Sequence, residues 1–70
     1  MKNSIDNKSF LNKVSEDTKG LILKNVANHY GITTEAAYFE LIDDEAENIL
    51  EYITGDLRAV IHTIYKSFKF

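Results

Sequence analysis

The chain has 70 residues, with 11 Asp and Glu against 8 Lys and Arg, a net charge of −3, and neither Cys nor Pro. A chain of this length makes one small domain with about 3–5 kcal/mol of net stability from its core, and without Cys neither a disulfide nor a thiolate metal site can reinforce it. Apolar runs such as Leu21-Ile22-Leu23 are far shorter than the roughly 20 residues of a membrane-spanning helix, and the opening MKNSIDNKSF has no apolar stretch of the signal-peptide kind, so a cytoplasmic protein is expected.

Apolar residues recur at three- and four-residue steps and strict alternation is not sustained anywhere, which predicts an all-α fold: a small bundle of three to four short helices with a frayed N-terminus. Residues 1–8 are polar and read as a flexible N-terminal segment, followed by a single helical domain over 9–70. Phe10, Leu11 and Val14 share one helical face, so a short helix or turn is expected near 9–14, with Asn7 or Ser9 as its N-cap. A firmer helix runs from Glu16 to Tyr30. Ser15 is its cap, and Glu16 and Asp17 lie where the helix dipole favours acids. Its apolar stripe is Leu23, Val26, Ala27 and Tyr30, widened by Ile22, and Gly31 stops it.

Thr33 or Thr34 caps the next helix, which carries Ala37, Tyr38, Leu41 and Ile42. Beyond Ile42 two readings compete. In one, the helix ends and Asp43 caps a new helix running to about Thr54. In the other, one helix runs unbroken from Glu35 to Thr54, and Glu40, Asp44, Glu47 and Glu51 form a single acidic ridge. The break is preferred, because Asp43, Asp44 and Glu45 are costly in mid-helix and favourable at a helix start. Gly55 ends that element and Asp56 caps the last helix, whose stripe is Leu57, Val60, Ile61, Ile64 and Phe68. The expected core is Leu23, Val26, Tyr30, Ile32, Tyr38, Leu41, Ile42, Ile49, Leu50, Ile53, Leu57, Val60, Ile61 and Ile64.

Charge is segregated more sharply than its sum suggests. Between Gly31 and Asp56 stand eight acids and no base: Glu35, Glu40, Asp43, Asp44, Glu45, Glu47, Glu51 and Asp56. The last helix instead presents a basic stripe of Arg58, His62, Lys66 and Lys69. Sign asymmetry of this kind bears on partners more than on fold. The acidic middle fits a basic protein surface, including a groove that otherwise binds nucleic acid. Small phage-type inhibitors work by such mimicry, and the chain is similar to them in size and charge. Candidate partner-binding residues are Phe39, Glu40, Asp44, Glu47 and Glu51, with Phe39 as the apolar anchor. Eight Tyr and Phe are many for so short a chain, and exposed aromatics ringed by charge suit interfaces. A homodimer is a close variant of this reading.

The stretch Val26-Ala27-Asn28-His29-Tyr30-Gly31-Ile32 resembles the turn region of helix-turn-helix proteins, with a small residue four before a Gly and an apolar residue after it. That resemblance implies a DNA-binding regulator using residues 23–42. The second helix departs from it in charge: Thr33-Thr34-Glu35-Ala36-Ala37 offers no cation for phosphates and no Arg, Lys, Asn or Gln for base edges. Nucleic acid is therefore an unfavoured partner. Catalysis is not expected. His29 and His62 are the two histidines and are too far apart for a metal motif, the acid run lacks the glycine of a calcium-binding loop, and no nucleophile elbow or phosphate loop occurs. The sequence thus predicts a non-catalytic interaction module, regulator or inhibitor, without metal or cofactor.

Overall fold

The computed structural model describes residues 6–68. Within these residues, four α-helices and one 3₁₀ turn make up an all-helical fold: α1 (Asn7–Lys13), α2 (Glu16–Tyr30), α3 (Thr34–Ile42), the 3₁₀ turn (Ile49–Glu51) and α4 (Asp56–Ser67). No helix among the described residues is long and apolar enough to cross a membrane.

Local signals set α2 and the start of α3. Ser15 accepts from the Thr18 N–H at 3.2 Å, and Thr33 accepts from the Ala36 N–H at 3.1 Å. Gly31 ends α2 at φ 68° and ψ 37°, a left-handed conformation that strains other residues. Gly55 precedes α4 at φ 72° and ψ −160°, a region open essentially to glycine alone. Gly55 is the cap residue of α4 and makes no side-chain cap bond. Asp56, expected as the cap, is instead the first helical residue, where its charge still suits the dipole.

The core gathers Phe10 and Leu11 from α1, Ile22, Val26 and Ala27 from α2, Ala37 and Leu41 from α3, Ile49 and Ile53, and Ile61 from α4. Phe10 is fully buried between Tyr65 and Phe68, with ring centroids 5.1 and 5.0 Å away. Such tilted aromatic pairs add to simple area burial. Phe10 and Leu11 were absent from the expected core, and Ile22 entered only at the stripe's edge. Of the expected members, Val26, Leu41, Ile49, Ile53 and Ile61 are in it, Leu23, Ile32, Tyr38, Ile42, Leu50, Leu57 and Ile64 pack against it partly buried, and two are exposed, Tyr30 at 50% and Val60 at 55%. Tyr30 shares the angular face of Val26 and Ala27 but is the last residue of α2, so it sits at the rim of the core.

The larger correction concerns residues 43–54. Neither expected α-helix forms there. An irregular turn follows Ile42, and regular structure returns only as the short 3₁₀ turn. The cause is Asn7, which is buried. In a continuing helix the Leu41 carbonyl would accept from the Glu45 N–H. Here it accepts from Asn7 Nδ2 at 2.8 Å, while the Glu45 N–H turns back to Asp43 Oδ1 at 2.8 Å. Asp43 thus closes a turn of its own and nucleates no helix. Asn7 lies in the segment read as a frayed lead-in. Asp6 takes the cap position instead, accepting from the Ser9 N–H at 2.8 Å, so α1 begins two residues earlier than expected. Residues 1–5 lie outside the described range.

Candidate functional site

The acidic segment is held by neutral side chains. Asn7 Nδ2 donates to the Leu41 carbonyl and also to the Glu47 carbonyl at 2.7 Å, and Asn7 Oδ1 accepts from the Ile49 N–H at 2.9 Å. One amide thereby fixes both ends of the 43–48 loop. Asn48 Oδ1 accepts from the Leu50 N–H and Asn48 Nδ2 donates to Tyr65 Oη, both at 2.9 Å. The Glu47 N–H reaches Tyr52 Oη at 3.3 Å. Further along, Asn25 exchanges two 3.0 Å bonds with the N–H and carbonyl of Thr54, binding the chain after the 3₁₀ turn to α2. No described buried side-chain polar atom is left without a partner. An irregular loop needs this accounting, because no helical ladder serves its backbone.

The carboxylates it carries face water. Glu40, Asp43, Asp44, Glu45, Glu47 and Glu51 are all exposed. Among the described residues, Glu51 is the one acid of the 31–56 stretch in an ion pair, 4.0 Å from Arg58, and both side chains are more than half exposed. Such a pair contributes under about 1 kcal/mol.

The five candidate partner-binding residues do not share one helical face. Asp44 and Glu47 sit on the loop and border an open, polar hollow of about 700 Å³ against the start of α1. Glu40, in the last turn of α3, borders a smaller cleft of about 280 Å³ on another side, with Val26, Tyr30, Ile32 and Tyr52. Glu51 turns toward α4. Phe39 is 64% exposed, as an anchor requires, but it lies about 100° round α3 from Glu40. Its ring meets Tyr38, 5.7 Å away, and Tyr38 is itself covered by Lys19 Nζ at 5.0 Å. The acidic ridge expected of a single helix therefore does not exist, and the charge is spread from the end of α3 through a clamped loop.

The basic stripe is also divided. Arg58 Nε donates to the Leu50 carbonyl at 2.8 Å, so this guanidinium braces the 3₁₀ turn. His62 and Lys66 are exposed on α4. Lys69 lies outside the described residues. The connection implied by the helix-turn-helix resemblance is present, since Gly31, Ile32 and Thr33 join α2 to α3, yet α3 bears Glu35 and Glu40 and no cation. No group of three or more His, Asp or Glu side chains among the described residues converges as a metal site.

Sequence reasoning missed Asn7, Asn25 and Asn48. A faint signal was present for Asn25 and Asn48, which adjoin Val26 and Ile49, and none for Asn7, which stands between Asp6 and Lys8. The chain matches no family model, no curated protein and no solved structure.

Proposed function

We propose that this protein is a non-catalytic binding module that offers its carboxylate-rich loop to a basic surface on another protein. The observation that carries the reading is the way the loop is held. Asp43, Asp44, Glu45 and Glu47 stand exposed with no cation among the described residues in an ion pair with them, while the backbone beneath is fixed by Asn7, Asn48 and Tyr52. A loop already ordered before binding loses less entropy when a partner docks, and its charge speeds encounter with a surface of opposite sign. DNA binding through α3 is the weaker reading, because that helix would bring carboxylates to phosphates.

The test is capture of a partner from native lysate of the source cell by the immobilised protein, compared with the Asp44→Lys/Glu47→Lys variant. Both residues are exposed, so the variant is expected to keep its helical circular dichroism and to lose the captured species. Equal capture by the two proteins would reduce the acidic loop to a solvated surface.

A further inference from the structure

The smaller cleft has the opposite character to the acidic loop. Val26 is its floor and Ile32 adds an apolar flank. The rings of Tyr30 and Tyr52 form its walls, with centroids 6.0 Å apart and planes inclined at 59°. Tyr52 is anchored because its hydroxyl accepts the Glu47 N–H, and His29 backs Tyr30 edge-on at 4.8 Å. Among the described residues, the single charged group lining the cleft is the exposed carboxylate of Glu40. At about 280 Å³ the cleft falls below the roughly 300–1,000 Å³ typical of small-molecule pockets. It is sized for a side chain.

We infer that this cleft receives one large aliphatic side chain of a protein partner, carried on a segment with Lys or Arg beside it. Charge complementarity selects that occupant. The apolar floor takes the aliphatic group. Glu40 stands at the edge, where a flanking cation reaches it, and the exposed face of Tyr30 attracts a second cation through its ring. From Val26 to Tyr52, the span that supplies these walls, the chain has no Lys or Arg that would repel such a partner or neutralise Glu40; its one basic side chain is His29, behind Tyr30. Tyrosine-walled pockets are also where interfaces concentrate binding energy. The inference rests on the protein-binding reading above and narrows it, because a basic surface lacking an apolar residue would meet the acidic loop and leave this cleft empty.

The experiment is an amide NMR titration of the full chain with three peptides: acetyl-Lys-Lys-Leu-Lys-Lys-amide, the same peptide with Ala for Leu, and the same peptide with Glu for every Lys. The leucine peptide is expected to produce saturable shifts centred on Tyr30, Ile32, Glu40 and Tyr52. Replacing Leu by Ala removes the buried group and is expected to weaken binding by about tenfold or more. The Glu peptide is expected to leave the cleft unshifted. Tyr30→Ala and Glu40→Gln, both at exposed positions, are expected to weaken the leucine peptide while preserving the dispersion of the free spectrum. Shifts confined to residues 43–47 and equal for the Leu and Ala peptides would overturn the cleft and leave the acidic-loop reading standing. Equal binding of the Glu peptide would overturn the charge argument and the inference with it. No shift with any peptide would count against both.

Discussion

Asn7→Ala is the most informative single substitution in this chain. It removes one donor group shared by the Leu41 and Glu47 carbonyls and one acceptor for the Ile49 N–H. At about 1 kcal/mol net per hydrogen bond, three bonds give roughly 3 kcal/mol. Two effects pull on that figure in opposite directions. The Ile49 N–H is buried, so stranding it adds a desolvation penalty of about 1–3 kcal/mol. The bond to the Glu47 carbonyl is only part-buried, beside the open hollow that Asn7 helps line, so water can replace part of what that carbonyl loses. The expected loss is about 2–4 kcal/mol, set against about 3–5 kcal/mol for a domain of this size.

Urea unfolding followed by circular dichroism at 222 nm measures that loss. With a denaturant slope near 1 kcal/mol/M for so small a domain, the midpoint should fall by about 2 M or more. Asn7→Asp sharpens the test. It keeps the shape and the acceptor for Ile49, but an ionised carboxylate cannot donate and would face two carbonyl oxygens inside an acidic segment. It should be at least as destabilising as Ala at neutral pH. A midpoint for Asn7→Ala within about 0.5 M of the parent protein would refute the clamp and the explanation it gives for the break after Ile42.

Neighbouring residues on α4 separate the core from its edge: Ile61→Ala should lose roughly 2–4 kcal/mol by opening a cavity, whereas Val60→Ala, at a position 55% exposed, should stay within about 0.5 kcal/mol, as read from urea midpoints. Gly20 lies inside α2 with no atom within 4 Å of where a Cβ would stand. Gly20→Ala should therefore raise stability by about 0.5–1 kcal/mol, and a lower melting temperature would show that the glycine has another role.

What could be read from the sequence was local. Ser15, Thr33, Gly31 and the apolar steps of α2 and α4 act within one or two turns of themselves, and the corresponding helices stand where those signals put them. The break after Ile42 was expected from the crowding of acids, although the bond that takes the Leu41 carbonyl out of the helical ladder comes from Asn7. What replaces the helix beyond it was not legible, because its cause lies 34 to 42 residues away in Asn7. A polar residue in a polar lead-in gives no sign that it will be buried. Phe10 and Leu11 were underrated for a related reason: α1 has seven residues, too few turns for periodicity to establish an inward face. The charge segregation of the candidate site needed only counting, since exposed carboxylates are the default. The division of its members among a loop, a cleft and an ion pair required coordinates, as did the use of Arg58 as a brace.

The choice of side chains in the clamp bears on function. Four carboxylates crowd residues 43–47, and a base placed among them would have stabilised the loop while cancelling its field. The fold holds the segment with amides and phenols, which satisfy its backbone and leave its charge intact. The cation that does touch the segment, Arg58, stands at its far end, against Leu50 and Glu51. Neutral anchoring orders the loop and leaves its carboxylates without an ion pair among the described residues, although Lys8 lines the same hollow as Asp43, Asp44 and Glu47. Rigidity alone would serve stability, and charge alone would serve solubility. Their combination, with α1 recruited to supply the central amide, is what the proposed docking of a cationic partner would use.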